Sequence, residues 1–426
     1  MTGRIVHLGL GNFHRAHQAV YTEDAGDGWT ITGVANRSRT IADALREQGE
    51  YTVITVADGP PEVRPVRVIT EALVAADEPE EVVRRIADPA TDIVTLTMTE
   101  AGYHLRPGTR DLDPATPATS LLALLARGLT QRTTPITVLS CDNLTANGEL
   151  LRHVLGQYDP NSLGAAAFPS SMVDRIVPAT GPEHVAMAKE AGYADAIPVP
   201  AEPFSQWVIE PNFAGPRPAW ETAGALLSSE VHAYEMVKVR LLNGCHSLIA
   251  YLGLLRGHRY IATAFADEPI AASVAHLMAD YAPTLHLPAG FDLARYQEQL
   301  AGRFANAALG HRTAQVGTDG SMKLAQRVPD AVAWHHRAGT VPTALALLVA
   351  AFLQVSCHPD AIDENQVGRP ADPALPRLRS LGRQARTATE LAQRILVDEG
   401  LFGPKVADAT EFVTAVAAQL EELAHR

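Results

Sequence analysis

The stretch RIVHLGLGNFHRAH, residues 4–17, opens with a run of apolar residues and then turns at two glycines. Residues 4–10 are typical of a β-strand, and Gly9 and Gly11 form a G-x-G turn before a helical segment. His14 stands where the motif G-x-G-x-x-G has its third glycine. Such a turn lets a pyrophosphate approach the N-terminus of the next helix. It also occurs as a plain tight turn, so this motif alone leaves both interpretations open.

Short β-rich runs alternate with helical segments on the C-terminal side of this turn, up to about residue 200. The runs near residues 4, 29, 92 and 135 are continuously hydrophobic, which is typical of parallel strands buried on both faces. The order predicts an α/β, Rossmann-like, doubly wound domain over residues 1–225. The strand candidates cover residues 4–10, 29–35, 51–57, 66–70, 92–99 and 135–141.

The sequence pattern changes from about residue 226, where strand signals fade and apolar residues recur at helical spacing. A mainly α-helical second domain is therefore expected over residues 226–426. A stretch rich in proline and aspartate, residues 358–378, predicts a long loop inside it. The helical candidates cover residues 230–255, 266–282, 342–356, 378–397 and 408–424.

Composition excludes several classes of protein. A net charge of -13 argues against non-specific nucleic-acid binding, which needs a basic surface. The three cysteines are widely spaced, so they predict neither a disulfide framework nor a metal site. The longest apolar run, residues 344–353, has about half the length of a bilayer span and is expected to be a buried helix. Because no signal peptide precedes the first strand, a cytoplasmic protein is expected.

The segment after the second predicted strand bears on the choice of cofactor. A usual NAD site has an acidic residue there, which binds the ribose 2'-hydroxyl. This sequence instead has Asn36, Arg37, Ser38 and Arg39. Asn36 can still hydrogen-bond a hydroxyl, whereas the two arginines either pair with a 2'-phosphate or are solvated loop residues. The expected cofactor is NAD, with NADP as the alternative.

The helical stretch YEMVKVRLLNGCHSLIAYLGLL, residues 234–255, contains Lys238, one of only four lysines in the chain. At about 100° per residue, Glu235, Asn243 and His246 lie within a sector of about 140° on the side of Lys238. Such a row faces solvent or a polar cavity, and the scarcity of other charges favours the cavity. Desolvation there would lower the pKa of the lysine and make it a general base. Asn243 and His246 could then bind a substrate oxygen, and Glu235 could pass a proton to water.

Seven segments resemble, in chain order, landmarks of the polyol-specific long-chain dehydrogenases, a family that includes mannitol 2-dehydrogenases and fructuronate reductases (mannonate oxidoreductases). They are GLGNFHRAHQAVYTEDA, VTLTMTEAGYHL, LSCDNLTANG, FPSSMVDRIVPAT, PFSQWVIE, EMVKVRLLNGCHSLIAYLG and DGSMKLAQR. The resemblance covers most of the chain. It implies a metal-independent, NAD-preferring enzyme in which Lys238 is the base, Asn243 and His246 lie at the reacting oxygen, and Glu235 belongs to a proton channel.

The same resemblance places the turn from Gly9 to His17, which includes Asn12 and Phe13, on the cofactor. Ser170 stands where mannitol 2-dehydrogenases carry an asparagine near the reacting oxygen, so it is a candidate for substrate binding. Asp142 and Asn143 follow a strand, where ligand crevices open, or they cap the helix after them. Arg303, Arg312 and Lys323 are candidates for binding a substrate carboxylate or hydroxyls, with plain surface exposure as the alternative.

These inferences predict a dehydrogenase that interconverts a secondary alcohol and a ketone on an open-chain polyol or sugar acid. The expected substrate is of the fructuronate/mannonate or the mannitol/fructose type, with another polyol such as arabinitol as an alternative. A non-catalytic dinucleotide-binding sensor is the alternative from a different class of protein. No partner other than the small-molecule substrate is expected, and the sequence leaves the oligomeric state open.

Overall fold

The computed structural model describes residues 3–57, 59–106, 108–164 and 166–425. The chain divides into two compact units, Met1–Glu235 and Met236–Arg426. The first unit contains the strands of a Rossmann-type sheet, and the second is mainly helical. The predicted fold class is confirmed.

The main sheet of the first unit has six parallel strands, in the order β5 (Ile69–Val74), β2 (Thr30–Ala35), β1 (Arg4–Leu8), β6 (Thr91–Leu96), β7 (Ile136–Ser140) and β8 (Ala166–Ala167). The four continuously hydrophobic runs form its central strands β2, β1, β6 and β7, as predicted. The chain order reverses between β1 and β6, so the crevice at their carboxyl ends is the expected ligand position. The strands of this unit are β1 (Arg4–Leu8), β2 (Thr30–Ala35), β3 (Tyr51–Thr55), β4 (Glu62–Val66), β5 (Ile69–Val74), β6 (Thr91–Leu96), β7 (Ile136–Ser140), β8 (Ala166–Ala167), β9 (Ser171–Asp174), β10 (Val199–Ala201), β11 (Gln206–Ile209) and β12 (Leu226–Leu227).

Several helices of this unit are buried along an apolar stripe. In the fourth helix the stripe is Val82, Val83 and Ile86, all buried against leucines of the sixth. Gly128 lets these two helices approach closely, since a Cβ there would lie 2.5 Å from the Ile86 side chain. The helices are α1 (Asn12–Ala16), α2 (Gln18–Ala25), α3 (Arg39–Gln48), α4 (Pro79–Ala87), α5 (Thr99–Gly102), α6 (Leu121–Thr130), α7 (Asn147–Tyr158) and α8 (Pro182–Glu190).

Two smaller sheets complete the first unit, in the orders β10-β3-β4 and β12-β11-β9. The predicted strand at residues 66–70 is wrong, because two strands meet there. Val66 ends β4, which pairs antiparallel with β3, and Ile69 begins β5, which is parallel to β2. A single hydrophobic run thus spans the connection between two sheets, and periodicity could not separate them.

The second unit is built from helices around one apolar core. The helices Cys245–Leu255 and Thr343–Cys357 are hydrophobic on nearly every side and lie at its centre. Among the described residues, no helix is long and apolar enough to cross a membrane. From Val231 onward the helices are α9 (Val231–Val237), α10 (Cys245–Leu255), α11 (Ile261–Phe265), α12 (Glu268–Tyr281), α13 (Leu293–Ala305), α14 (Thr313–Gly317), α15 (Gly320–Arg327), α16 (Pro329–Ala338), α17 (Thr343–Cys357), α18 (Glu364–Val367), α19 (Leu375–Gln384), α20 (Ala388–Ala392), α21 (Pro404–Ala407) and α22 (Thr410–Ala424), and π-helices cover Lys238–Gly244 and Gln393–Asp398.

Candidate active site

The two glycines after β1 differ in what the fold demands of them. Gly9 has φ 103°, and a Cβ there would lie 2.1 Å from the carbonyl oxygen of Thr97. Gly11 has φ -129°, and its nearest neighbour would be 3.6 Å from a Cβ, an ordinary contact. The fold therefore requires glycine at Gly9 but has room for a side chain at Gly11. A ligand that approaches the backbone is a physical reason for the second glycine.

The side chains that follow this turn contact other parts of the first unit. The Asn12 amide donates to the Thr180 hydroxyl at 3.1 Å and accepts from Arg15 at 2.7 Å. Phe13 stacks on His17 with ring centroids 5.1 Å apart. The described contacts of Asn12 and Phe13 thus serve packing. Their role in cofactor binding stays a prediction, in which their backbone or the exposed edges of their side chains would contact the cofactor.

The segment after β2 contains an ion pair that the sequence did not reveal. Arg39 pairs with Asp77, which follows β5, with its Nε 2.8 Å from the carboxylate. Asn36 is exposed, and its carbonyl accepts from the Ala76 amide at 3.1 Å. Arg37 is exposed as well. The Asp77 carboxylate is therefore present near the end of β2, but it comes from the segment after the neighbouring strand, β5.

Asp142 lies buried beyond the end of β7 and accepts two hydrogen bonds. The Thr99 amide donates to one oxygen at 2.8 Å and the Tyr103 hydroxyl to the other at 3.0 Å. Burial raises the pKa of Asp142 to about 6. The suggested helix cap is wrong, because α7 begins after Ala146 and has no side-chain cap. Asp142 instead holds Thr99, whose φ of 66° is unusual for a β-branched residue. Asn143 is exposed.

Glu235 and Ser170 both lie in the first unit. Glu235 is buried, accepts from the Ala146 amide at 3.4 Å and lies 3.2 Å from a ring nitrogen of His232. His232 is largely exposed, so Glu235 is next to a residue that reaches water. Ser170 is half-buried, and its backbone pairs with Glu210 through bonds of 3.0 and 2.9 Å.

Lys238 is buried, with 8% of its surface exposed, and it begins the π-helix Lys238–Gly244. The prediction of one regular α-helix through this stretch is wrong. A π-helix, whose hydrogen bonds join residues five apart, takes nearly one residue more per turn than an α-helix, so Asn243 lies slightly more than one turn beyond Lys238. The two side chains are therefore closer in direction than the α-helical projection indicated. π-helical turns often occur at functional sites.

His246 lies among other histidine, aromatic and basic side chains of the second unit. Its ring centroid is 5.0 Å from that of His311 and 5.5 Å from that of Phe304. Burial, and next the neighbouring His311, Arg303, Arg327 and Lys323, hold the pKa of His246 well below its usual range. His246 is therefore a neutral imidazole near pH 7, with one ring nitrogen as a hydrogen-bond donor and the other as an acceptor.

Two neighbours of His246 were missed by the sequence reasoning. Arg327 donates to the Asn243 carbonyl at 2.9 Å and to the Ser247 hydroxyl. His311 is half-buried, burial lowers its pKa to about 4, and its Nδ1 has no partner among the described residues. Arg327 follows Lys323 by four residues on α15, a spacing that places both on one helix face and could have been noticed.

The predicted basic candidates do not all lie together. Arg303 is buried and Lys323 half-buried, and both act on His246. Lys323 also donates to the Val316 carbonyl at 3.3 Å. Arg312 is exposed and is not among the charges that shift His246. No group of three or more His, Cys, Asp or Glu side chains that could hold a metal occurs in the described part of the chain.

Comparison with known proteins identifies the family. The mannitol dehydrogenase Rossmann domain matches residues 3–222, and the mannitol dehydrogenase C-terminal domain matches residues 230–424. D-Mannonate oxidoreductase of Escherichia coli is 35% identical, with 100% of this chain and 94% of that protein covered. Mannitol 2-dehydrogenase of Cereibacter sphaeroides is also 35% identical, with 98% of this chain and 94% of that protein covered.

A solved structure agrees with these relatives. The ternary complex of Pseudomonas fluorescens mannitol 2-dehydrogenase with NAD and D-mannitol superposes with a TM-score of 0.86 at 32% identity. The match covers 100% of this chain and 92% of that one. The resemblance read from the sequence motifs is confirmed. The chain belongs to the mannitol dehydrogenase family and is an oxidoreductase of that family.

Proposed function

We propose that this protein is an NAD-dependent dehydrogenase that interconverts a secondary alcohol and a ketone on an open-chain sugar acid. The fructuronate/mannonate type is the substrate that fits best. The observation that carries this choice is the group of three cationic side chains, Arg303, Lys323 and Arg327, that act on His246. Lys238 is proposed as the base, and no metal is required for its proton transfer.

The glycine turn fits a dinucleotide. Gly9 makes the turn that the backbone needs, and Gly11 leaves open the space that a pyrophosphate would use. Gly9, Gly11, Asn12, Phe13, Asn36, Arg37, Asp142 and Asn143 are the residues proposed to hold the cofactor. When bound, NAD supplies the acceptor or donor of hydride. The cofactor of the relative from Pseudomonas fluorescens is NAD.

The residues of the lysine helix would handle the proton. Lys238 takes the hydroxyl proton on oxidation and returns it on reduction, while the Asn243 amide donates to the oxygen that gains negative charge. Arg327 donates to the backbone carbonyl of Asn243 and so fixes the backbone that carries this side-chain amide. Neutral His246 can donate to an adjacent substrate oxygen. Glu235, beside the exposed His232, is proposed to exchange the proton with water.

Electrostatic complementarity favours a sugar acid over a neutral polyol. A carboxylate forms charge-assisted hydrogen bonds with arginine and lysine, and these are about twice as strong as bonds to neutral hydroxyls. The relatives include both a D-mannonate oxidoreductase and mannitol 2-dehydrogenases, so family membership alone does not choose. Mannitol/fructose is therefore the second candidate pair, and arabinitol the third. A sensor is disfavoured because it has no need of the buried Lys238.

Lys323→Gln is expected to lower kcat/KM for fructuronate by about tenfold to a hundredfold, because a charge-assisted bond worth about 1.5–3 kcal/mol is lost. The loss for fructose should be severalfold smaller. Arg312→Gln is the matched control, since Arg312 is exposed and is not among the charges that act on His246. Steady-state rates with NADH and each ketose measure the effect. Equal losses on both substrates, or a wild type that turns over only neutral ketoses, would contradict the sugar-acid assignment.

NAD is expected to be preferred over NADP by about tenfold to a hundredfold, a modest ratio because Asn36 is not a carboxylate. Asp77 compensates the charge of Arg39, and Asp43 and Glu78 also act on it. Asp77→Ala should therefore raise kcat/KM for NADP about tenfold and leave that for NAD nearly unchanged. Arg37→Ala is the companion variant. Outright NADP preference in the wild type that Arg37→Ala reverses would show that Arg37 is a phosphate clamp.

Three further predictions complete the proposal. We propose that the dinucleotide-binding domain spans residues 1–225 and the mainly helical catalytic domain residues 226–426. The protein is expected in the cytoplasm, and its activity is expected to be independent of metal ions.

A further inference from the structure

His7 in β1 is fully buried and lies between two threonine hydroxyls of β6 and the loop after it. Its Nδ1 is 2.8 Å from the Thr95 hydroxyl, and its Nε2 is 2.9 Å from the Thr97 hydroxyl. The Thr97 hydroxyl is in turn 2.9 Å from the Gly9 carbonyl oxygen. A continuous chain of hydrogen bonds therefore runs from Thr95 through His7 and Thr97 to the glycine turn.

The donor and the acceptor of each of these hydrogen bonds follow from the number of protons that the groups carry. The Thr97 hydroxyl has one proton, and the Gly9 carbonyl can only accept, so Thr97 donates to Gly9. His7 Nε2 must then carry a proton and donate to Thr97. Its Nδ1 must accept from the Thr95 hydroxyl. Burial lowers the pKa of His7 to about 3, so the ring is neutral and exists as this single tautomer near pH 7.

This series of hydrogen bonds ends at Gly9, which has the most constrained backbone of the glycine turn. Gly9 has φ 103°, and its amide and that of Leu10 both donate to the Val34 carbonyl, at 2.9 and 3.0 Å. The bond from Thr97 holds the remaining polar group of Gly9, its carbonyl, and the His7 ring also interacts with the Gly9 backbone. The neutral ring of His14 stacks on His7 with centroids 3.3 Å apart, at the position where a third glycine would stand.

We propose that His7 is a positioning residue for the dinucleotide turn, acting as the Nε2–H tautomer through Thr97 on the carbonyl of Gly9. The bond sets the plane of the peptide between Gly9 and Leu10, and with it the path of the backbone through Gly11. Thr95 selects the tautomer. If Nδ1 carried the proton instead, Nε2 would attract the Thr97 proton, and Gly9 would lose its partner. This inference rests on the proposed dinucleotide site.

The test compares Thr97→Val with Thr97→Ser. Valine is nearly isosteric with threonine but has no hydroxyl, whereas serine keeps the hydroxyl and serves as the matched control. We expect Thr97→Val to raise the dissociation constant for NADH, measured by fluorescence titration, roughly fivefold to tenfold, as loss of one hydrogen bond predicts. Thr97→Ser should stay within about twofold of the wild type. Melting curves of both variants and the wild type serve to check that the folded fraction is the same.

A second readout needs no binding. In protein labelled with 15N-histidine, His7 should show a protonated Nε2 and an unprotonated Nδ1, and His7→Gln assigns its signals. Thr95→Val should shift these signals toward the other tautomer and weaken NADH binding, although Thr95 does not contact Gly9 in this chain of bonds. A protonated Nδ1 in the wild type, or unchanged NADH affinity in Thr97→Val, would overturn the positioning role alone. A wild type that binds neither NADH nor NADPH would overturn the dinucleotide site as well.

Discussion

Replacing Lys238 with alanine is expected to lower kcat by a factor of about 10² or more, because general-base catalysis contributes about that much. NADH affinity should stay unchanged, since the residues proposed to hold the cofactor are elsewhere in the chain. Lys238→Arg should be equally inactive, because arginine keeps the positive charge but does not release a proton in proteins. Single-turnover rates and NADH titration measure the two quantities separately.

The control for this prediction is Lys405→Ala. Lys405 is exposed and pairs with Asp330, so its loss tests the removal of a lysine from the second unit without touching the proposed site. Added methylamine should restore part of the activity of Lys238→Ala but none of that of Lys238→Arg, where the space is filled. A Lys238→Ala protein with near-normal kcat would refute the role of the lysine as base.

The second large effect concerns the glycine turn, where one substitution is expected to lower the stability of the protein and another to weaken cofactor binding. Gly9→Ala is expected to destabilise the protein by about 3 kcal/mol or more, because both its φ and the contact with Thr97 exclude a Cβ. Gly11→Ala should change the free energy of unfolding by less than about 1 kcal/mol, since its φ is ordinary and space is available. It should nevertheless weaken NADH binding at least about tenfold, because the methyl group occupies the approach to the pyrophosphate.

Gly49→Ala isolates the cost of a positive φ. Gly49 has φ 71° and ends α3, and a methyl group added there would have no other atom within 4 Å among the described residues. We expect a loss of about 1 kcal/mol and normal NADH affinity. Denaturant unfolding and fluorescence titration of the three variants give the comparison. If Gly11→Ala binds NADH as tightly as the wild type, no ligand approaches the backbone there, and the cofactor would have to bind in another way.

The sequence predicted the central sheet well because its signal is local. Strands buried on both faces are continuously apolar, and β1, β2, β6 and β7 all had that pattern. The strand predicted at residues 66–70 failed because apolar character continues from one sheet into the next, and only pairing separates Val66 from Ile69. Pairing partners are a tertiary property, which a single sequence does not contain.

The candidate site was predictable where residues share one helix and not where they come together from several. Lys238, Asn243 and His246 were proposed from their spacing, although an α-helical projection could not show the π-helical turn between them. His311 has no such link to His246, because the loop before α14 brings it there. Likewise, the pairing of Arg39 with Asp77 depends on β2 and β5 being neighbours.

The π-helix Lys238–Gly244 makes this part of the chain sensitive to length rather than to composition alone. A π-helical turn accommodates one more residue than an α-helical turn, so a single-residue deletion between Lys238 and Asn243 would allow the segment to become α-helical. The shorter segment and its tighter winding would then compensate, so the side chains after the deletion would keep nearly the same direction relative to Lys238. His246 would stay opposite His311, whereas a change to α-helix without a deletion would rotate it by about 100° and remove it from that place. A single-residue deletion in this segment should therefore be tolerated better than a single-residue insertion.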